Sequence, residues 1–452
     1  MTKQPFYEKF IKAKEINIKK QNRIEKEFET NLKEDKRKKT KPINPVKLLS
    51  MDNSFFSSFS PSEKEPLNSF DTIIRDTLGL TKKQEAVIPK EIRRLFHELT
   101  DERSSRKRNY LNNPIKLSAY IYYYMWWNLV RISKLIKNID FELSENDVIA
   151  DFGAGPLTMA CAFWITKPEL RKKKLIWYCA DISSKALCCG ENIFYTLCKH
   201  TEQGQRNPAK PWQIIKVSKD FGTPLKKDVN LFVSANMFNE IFWDSSLNIF
   251  KEAEQAANTI LKYVNKKGKI LIIEPGIPLA GEFISYIRKY FLDQNYYIKI
   301  PCPHNGICPI PGTKIVFTGF NKKLPTAKKK WCHFSFSTDD APLKLKELSK
   351  HINMEKQKAG LSFLFCIPSK TEYEKKEPDS LAVRITSELI KLDNGMIGKY
   401  ACSEKGFLLL QEKNSLNAKL KKCSHGALLN MELKKINYNL KDKKTGAFII
   451  YI

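Results

Sequence analysis

The stretch 147-DVIADFGAGPLTM-159 joins a short apolar strand to a glycine-bearing turn and then to a helix. Residues 148–150 suit a buried parallel strand that Asp151 ends, and Gly153 and Gly155 allow a tight turn with close approach to a ligand. A helix that begins near Leu157 then points its free N–H groups at the crevice beside the turn. Glycine turns of this kind also occur for packing alone, so the next strand has to separate the two interpretations.

The second predicted strand, residues 175–180, is apolar and ends in Asp181 at the distance that a strand-helix-strand unit needs. An acidic side chain there can accept both hydroxyls of a ribose. The turn reads G-A-G-P-L-T and not G-x-G-x-x-G, which makes the pyrophosphate of NAD a poor match. A nucleoside without phosphate fits better, and S-adenosylmethionine is the predicted ligand. The predicted cofactor-binding residues are Asp151, Gly153, Ala154, Gly155, Pro156, Asp181 and Asn236.

Charge predicts a polyanionic partner. The 452 residues carry 78 Lys and Arg against 49 Asp and Glu, a formal net charge of +29. An excess of this size favours nucleic acid over a neutral metabolite. The alternative is the lysine-rich background of an organism with A·T-rich codons.

The apolar content predicts a folded protein without membrane spans. Hydrophobic residues make up 42% of the chain, and no stretch reaches the roughly 18 apolar residues that a span requires. The N-terminus is basic but contains several glutamates and lacks an apolar core, so neither a secretory signal nor a transit peptide is predicted. We therefore expect a cytoplasmic protein, in the bacterial cytosol or, in a eukaryote, the mitochondrial matrix. Eleven cysteines favour a reduced compartment, with some thiols buried and others binding metal.

The pattern along the chain predicts four regions around an α/β, Rossmann-like doubly wound sheet. Residues 1–66 form a basic arm and linker, and residues 67–145 form a helical region rich in aromatic rings that we interpret as core and as a roof over the crevice. Residues 146–380 alternate strand and helix, with an insertion at residues 301–360. Residues 381–452 form a small β-rich unit. Oligomeric state is not predicted.

The insertion carries a candidate metal site. The sequences 301-PCPHNGICP-309 and 328-KKKWCHF-334 supply Cys302, Cys308 and Cys332 in a segment with little else to build a core. Thiolates suit zinc or an iron–sulfur cluster, and either needs a fourth ligand. The local candidates are His304 and His333. The distant candidates are Cys366, Cys402 and Cys423.

The fourth predicted strand ends at Asn236, which Asn239 and Glu240 follow at the carboxyl edge where ligands bind. Either of the two later residues could cap the next helix or take part in catalysis. The Asn-Pro-Pro-aromatic sequence that binds a base amino group in many nucleic-acid methyltransferases is missing. The catalytic residues and the target nucleotide are therefore not predicted.

Six segments in this order resemble one family: DFGAGP, CADIS, VSANMFNEI, IIEPG, PCPHNGICP and WCHFS. It is the methyltransferase-like protein of the mitochondrial small ribosomal subunit together with its bacterial relatives. The resemblance covers roughly residues 110–406, and its most specific part is the proline-flanked cysteine segment. It implies a class I S-adenosylmethionine-dependent methyltransferase fold and association with the small ribosomal subunit and its RNA.

The resemblance also implies a [4Fe–4S] cluster in place of zinc. Carried over to this chain, its ligands are Cys302, Cys308, Cys332 and, in 398-GKYACSEKG-406, Cys402. One position departs from the family pattern: Leu157 stands where glycine is usual after the proline of the turn. We expect its larger side chain to narrow the cofactor crevice.

Two functional hypotheses follow. The first is an rRNA methyltransferase. The second is a ribosome-assembly or translation factor that keeps the fold and binds RNA without methyl transfer. In both, the N-terminal arm and Lys328 to Lys330 are predicted to contact phosphates.

Overall fold

The computed structural model describes residues 45–100, 109–242, 248–310, 330–369, 380–393, 395–432 and 440–452. Most of the predicted basic arm, with Lys328 and Lys329, lies outside them. Within the described ranges, no helix has the length and apolar character that a membrane crossing requires.

The first strand, β1 (Leu48–Asp52), pairs with a strand near the C-terminus. The chain then makes a 3₁₀ turn, Ser54–Phe56, and enters a helix at Pro61. The prediction that the arm and linker extend to residue 66 is therefore wrong for residues 48–52, which form a strand, and for residues 61–66, which are helical. The serines and prolines there are local structure signals, since Ser60 and Glu63 form a reciprocal capping box and Pro61 occupies the first helical turn.

Helices make up the next region and cover one end of the main sheet. They are α1 (Pro61–Asn68), α2 (Phe70–Leu78), α3 (Lys82–Thr100), α4 (Pro114–Ala119) and α5 (Trp126–Ile136), with a π-helical stretch, Tyr120–Met125, joining the last two. The aromatic run is largely core, because Tyr123, Trp126 and Trp127 are all buried.

The main sheet has eight strands. The new ones are β2 (Val148–Phe152), β3 (Ile176–Ala180), β4 (Gln213–Val217), β5 (Val229–Ala235), β6 (Val264–Pro275), β7 (Tyr296–Ile300), β8 (Phe334–Ser337) and β9 (Lys358–Pro368). Their order is β4-β3-β2-β5-β6-β9-β7, and β8 also pairs with β9. Strands β2 to β6 are parallel, whereas β9 runs antiparallel to both neighbours. This order is that of the class I S-adenosylmethionine-dependent methyltransferases.

Helices cover both faces of this sheet, as a doubly wound fold requires. They are α6 (Thr158–Thr166), α7 (Pro168–Arg171), α8 (Ser184–Glu202), α9 (Met237–Ile241), α10 (Ile249–Leu261), α11 (Pro278–Asp293) and α12 (Leu343–His351). The predicted insertion lies between β7 and β9 and contributes β8 and α12. Strand order reverses beside β2, where β3 lies on one side and β5 on the other. A ligand crevice is expected at such a point, outside the carboxyl ends of the strands.

The C-terminal residues build a second sheet. It contains β10 (Ser380–Ile385), β11 (Ile390–Lys391), β12 (Met396–Ser403), β13 (Gly406–Lys413), β14 (Leu428–Glu432) and β15 (Phe448–Tyr451), with α13 (Lys419–Lys422) between β13 and β14. The order is β1-β14-β10-β12-β13-β15, and β11 pairs with β12. The N–H of Val46 donates to the carbonyl of Tyr451 over 2.7 Å, which brings the two edges together. Strand β1 thus covers an edge that the C-terminal strands alone would leave open.

Candidate functional site

The glycine turn after β2 lies at the carboxyl edge of the main sheet. Gly153 has φ of +70° and Gly155 has φ of +50°, a region that costs other residues roughly 1–2 kcal/mol. A Cβ at Gly153 would lie 2.6 Å from the Cβ of Met237. The N–H groups of Gly153 and Ala154 donate to the carbonyl of Ala180 over 2.9 and 3.1 Å. The turn is therefore fixed against the end of β3.

Leu157 closes the turn and does not behave as predicted. Its φ is +59°, so the family's usual glycine suits this backbone better. Its side chain is fully buried in the hydrophobic core. The expectation that Leu157 narrows the crevice is wrong, because the side chain packs into the core. Pro156, just before it, abuts α8 so closely that a Cβ at Gly190 would lie 2.3 Å from its carbonyl carbon.

Asp181 lies one residue beyond β3 and faces the glycine turn. Its Oδ2 accepts the N–H of Gly155 over 2.9 Å, and its Oδ1 accepts the N–H of Ser183 over 2.8 Å. Loss of surrounding water raises the pKa of Asp181 to about 6, against the effect of these two hydrogen bonds. The bonds fix the plane of a carboxylate that is still partly exposed.

Asp151 is an almost fully buried acid of the crevice, with 1% of its surface exposed. Neither carboxylate oxygen has a hydrogen-bond partner among the described residues. Burial, and then the negative charge of Asp181, raise the pKa of Asp151 well above its ordinary range. Since an unsatisfied buried carboxylate is costly, this arrangement predicts a ligand that supplies a donor or a cation.

Asn236 follows β5 in a left-handed conformation, with φ of +62°. Its side-chain oxygen accepts a hydrogen bond from the guanidinium of Arg131 on α5. Arg131 also donates to the carbonyl of Gly360 over 3.2 Å. Burial lowers the pKa of Arg131 to about 10, with Glu274 acting in the opposite direction. Asn236 therefore lies at the crevice, but its oxygen is already engaged.

Glu274 near the end of β6 is a site residue that the sequence analysis missed. Its carboxylate accepts the N–H groups of Phe238 and Asn239 over 3.0 and 2.9 Å, which caps α9. The hypothesis that Asn239 or Glu240 caps this helix is wrong, because both lie within it. Burial raises the pKa of Glu274 to about 8. The available signal was an acid at the end of a buried strand, in the segment IIEPG.

The helical region reaches over the crevice from the N-terminal side. A 3₁₀ turn, Tyr110–Asn112, precedes α4. The hydroxyl of Ser183 donates to Oδ1 of Asn112 over 2.7 Å, and the hydroxyl of Tyr110 donates to Oε1 of Glu240 over 3.4 Å. This 3₁₀ turn thus makes hydrogen bonds on both sides of the crevice, and the roof of aromatic rings stays a prediction.

The proposed cysteine ligands lie on three segments of the chain, and each has its own contacts. The guanidinium of Arg288, on α11, donates to Sγ of Cys302 over 3.1 Å. Sγ of Cys402, on β12, lies 3.5 Å from Nε2 of His304. Cys332 is positioned by its backbone, whose carbonyl accepts the hydroxyl of Ser362 over 2.7 Å.

The pKa of Cys402 depends on its burial and on the other three thiols. Burial raises the pKa of Cys402 well above its ordinary range, and Cys308, Cys302 and Cys332 raise it further. Burial alone would lower the pKa of Arg288, but Cys302 and Cys308 more than offset this and raise it. Within the described residues, no group of three or more His, Cys, Asp or Glu side chains is arranged to hold a metal ion.

A second arginine lies beside the same thiols. Arg384, on β10, is buried and donates to the carbonyls of Pro301 and Gly426 over 2.9 and 2.8 Å. Burial lowers its pKa to about 10, while Cys302 and Cys402 act in the opposite direction. Two guanidinium groups therefore face the cysteines.

The remaining distant candidates have other surroundings. Cys366 is fully buried on β9 within the hydrophobic core. The thiol of Cys423 donates to the carbonyl of Lys419 over 3.3 Å, and burial raises its pKa to about 11. His304 lies beside Cys402 and stays a candidate. His333 stacks on Trp331.

Comparison with known families decides the relationship. Residues 144–393, which are more than half of the chain, match the family model described as "Mitochondrial small ribosomal subunit Rsm22". The chain belongs to the Rsm22 family. The match covers the glycine turn, the crevice and three of the four proposed cysteine ligands, but it ends before Cys402. No curated protein matches this Rsm22-family chain.

Solved methyltransferase structures show a distant likeness to the Rsm22-family chain. One is a S-adenosylmethionine-dependent methyltransferase from Thiobacillus denitrificans in complex with S-adenosylhomocysteine, with 9% identity, 54% of this chain and 91% of that chain covered, and a TM-score of 0.29. Another is precorrin-6y C5,15-methyltransferase from Geobacter metallireducens, with 8% identity, 54% and 87% covered, and a TM-score of 0.27. These values are too low to support a conclusion, and the fold class follows from the strand order.

Proposed function

We propose that the protein is a S-adenosylmethionine-dependent methyltransferase-like protein that acts on, or helps to assemble, the small ribosomal subunit through its rRNA. The observation that carries the proposal is the unpartnered carboxylate of Asp151, buried beside the glycine turn. Membership of the Rsm22 family supports the ribosomal part, because the family's description names the mitochondrial small subunit. The compartment would follow the ribosome, in the bacterial cytosol or the mitochondrial matrix.

Each crevice residue has a role in holding the donor. The Asp181 carboxylate, oriented by hydrogen bonds from two backbone N–H groups, would accept hydrogen bonds from the ribose hydroxyls. Asp151 would accept a hydrogen bond from the ammonium group of the methionine moiety, which would give its buried carboxylate the partner that it lacks. Gly153, Ala154, Gly155 and Pro156 would let the backbone approach the nucleoside, and Asn236 would line its far side. When bound, S-adenosylmethionine supplies an electrophilic methyl group.

The acceptor side supports a second candidate function. Asn236 lies where an amide that binds the methyl-accepting base would be expected. Its side-chain oxygen already accepts a hydrogen bond from Arg131. The chain also lacks the base-gripping Asn-Pro-Pro-aromatic sequence. Both observations favour a non-catalytic RNA-binding assembly or translation factor that retains the donor crevice.

The experiment that separates the two is methyl transfer. The purified protein is incubated with radiolabelled S-adenosylmethionine and isolated small-subunit rRNA. Incorporation that Asp151→Asn abolishes would establish the enzyme. Donor binding without incorporation into either naked rRNA or assembly intermediates would establish the non-catalytic factor.

We further propose that Cys302, Cys308, Cys332 and Cys402 hold one [4Fe–4S] cluster, with zinc as the alternative metal. Four cysteine thiolates are the usual ligands of such a cluster, and the Arg288 and Arg384 guanidinium groups would offset its negative charge. The bound cluster would cross-link the insertion to the C-terminal sheet, because Cys402 alone comes from that sheet. Iron, sulfide and zinc analysis of anaerobically purified protein tests this assignment.

A further inference from the structure

The C-terminal sheet has the connectivity of an oligonucleotide-binding (OB) fold. Taken in chain order without the short β11, its strands are β10, β12, β13, β14 and β15. The first pairs antiparallel with the second and the fourth, the second pairs antiparallel with the third, and the third pairs parallel with the fifth. Helix α13 lies between the third and fourth strands. This is the Greek-key barrel whose second and third strands, with the loops after the first and fourth, bind oligonucleotides in other proteins.

The barrel interior is a closed apolar core. Inward-facing side chains come from all five strands and from the α13 segment. They include Val383, Ile397, Leu408, Leu429, Ile450 and Leu420, all buried. Because side chains alternate along a strand, the residues between them face outward.

The outward face of β12 and β13 carries a second, separate apolar cluster. Its buried members are Tyr400, Leu409 and Ala447, and Phe407 packs against them. The Tyr400 and Phe407 rings stack with centroids 5.2 Å apart and planes 10° apart. Tyr400 is buried, whereas Phe407 keeps part of its ring exposed. An aromatic ring held flat on a strand and partly open to solvent is the platform on which single-stranded bases stack.

Both flanking loops touch this cluster. Ile390, in the connection between the first and second strands, packs against it. The hydroxyl of Tyr400 donates to the carboxylate of Asp442, in the connection between the fourth and fifth strands, over 2.9 Å. The two loops that flank nucleic acid in OB folds therefore border the aromatic pair here.

The rim of the face is basic. Nζ of Lys330 lies 4.7 Å above the centroid of the Tyr400 ring, and Lys405 is exposed in the turn next to Phe407. Further exposed lysines at the rim are Lys391, Lys441, Lys443 and Lys444. The Asp442 carboxylate accepts hydrogen bonds from Thr445 and Tyr400 and stays charged, and Asp393 and Glu404 are exposed nearby. The six lysines outnumber these three acids, so the net charge toward an incoming polyanion is positive.

We propose that this face, formed by Phe407, Tyr400 and the surrounding lysines, binds single-stranded RNA. The inference deepens the proposed function, since it names the module that would hold the rRNA, and it does not depend on donor binding. Cys402 on β12 is paired in register with Phe407 on β13. RNA bound at Phe407 would therefore lie directly beside the proposed cluster. A base stacked on Phe407 and phosphates paired with the lysines account for both features of the face.

The test uses the full-length, anaerobically purified protein and fluorescence polarisation. The probes are a labelled 12-nucleotide oligouridylate and a 12-base-pair RNA duplex. Phe407→Ala should weaken binding of the single strand roughly tenfold, and Phe407→Tyr should restore it. The matched control is Tyr195→Ala, which removes an exposed ring on α8. Lys405→Gln with Lys441→Gln should flatten the dependence of log affinity on log salt by about 1.4, and this pair keeps the test available if Phe407→Ala does not fold.

Wild-type affinity in Phe407→Ala, or equal binding of the duplex, would overturn the inference. So would a wild-type dimer that Phe407→Ala converts to a monomer, since the face would then bind a second copy. Donor titration of the same variants keeps the proposals separate. Donor binding without RNA binding would support the donor crevice and contradict the RNA-binding face. RNA binding without donor binding would support the RNA-binding face and contradict the donor crevice.

Discussion

The N–H of Gly155 donates to Oδ2 of Asp181 over 2.9 Å. This bond joins the turn after β2 to the residue that follows β3. The hydrogen bond from Ser183 occupies the other oxygen. Asp181 is therefore oriented before any ligand arrives, and its remaining lone pairs are those a ribose could use.

Replacing Asp181 should weaken donor binding. Asp181→Ala removes a charge-assisted pair of hydrogen bonds, which contributes on the order of 1.5–3 kcal/mol, so affinity for S-adenosylhomocysteine should fall about tenfold or more. Isothermal titration calorimetry measures this. Asp228→Ala, at an exposed acid of the same domain, is the control, and equal affinity in the two variants would remove Asp181 from the site.

Donor affinity should depend on pH through the same carboxylate. The pKa of Asp181 is raised to about 6, so the ionised form that accepts hydroxyls best forms as pH rises through 6. Affinity should increase between pH 5 and 7 in the wild type, and the increase should be smaller in Asp181→Asn, where only Asp151 still titrates. In the ligand-free protein, the same titration makes the free energy of unfolding decrease as pH rises. The folded state binds the extra proton, so its stability should fall as pH rises from about 4 to 6.

The two glycines of the turn should differ in their tolerance of alanine. Both have left-handed backbones, which costs alanine roughly 1–2 kcal/mol. A Cβ at Gly155 meets nothing within 4 Å, whereas one at Gly153 meets Met237 at 2.6 Å. Gly153→Ala should therefore cost about 1–3 kcal/mol more than Gly155→Ala. Denaturant unfolding of the pair compares them directly, and equal midpoints would contradict the packing described for Met237.

Cys402→Ser should lose the cluster and loosen the C-terminal sheet. The residue is the one proposed ligand outside the insertion region, so its loss removes the cross-link as well as the iron. Iron and sulfide analysis, a visible spectrum and limited proteolysis measure both effects. Cys366→Ser and Cys423→Ser are matched controls that should keep the cluster. A full cluster in Cys402→Ser would assign the fourth ligand to His304, which lies 3.5 Å from the Cys402 thiol.

The sequence predicted the parts of the fold that local patterns specify. The apolar runs at residues 148–150 and 175–180 located β2 and β3, and the glycine turn located the crevice, because short-range sterics and burial determine both. It could not predict that β1 pairs with β14, because that contact joins residues nearly 400 positions apart and depends on the edge left open by the C-terminal strands.

The candidate site also combines features that local sequence specifies with features that depend on long-range contacts. Asp181 was found because an acid after a strand is a local signal. The capping role of Glu274 depends on β6 and α9 being adjacent in space, and the burial of Leu157 depends on how its left-handed backbone meets the core. Neither can be derived from spacing along the chain.

Calorimetric titration of the full-length, anaerobically purified protein with S-adenosylhomocysteine tests the donor site most directly. The crevice around Asp151 and Asp181 predicts saturable binding at one site, and Asp151→Asn should weaken it because the ligand's ammonium would lose its charged partner. The absence of any binding heat at millimolar ligand, in protein shown to be folded, would contradict the assignment of a donor site.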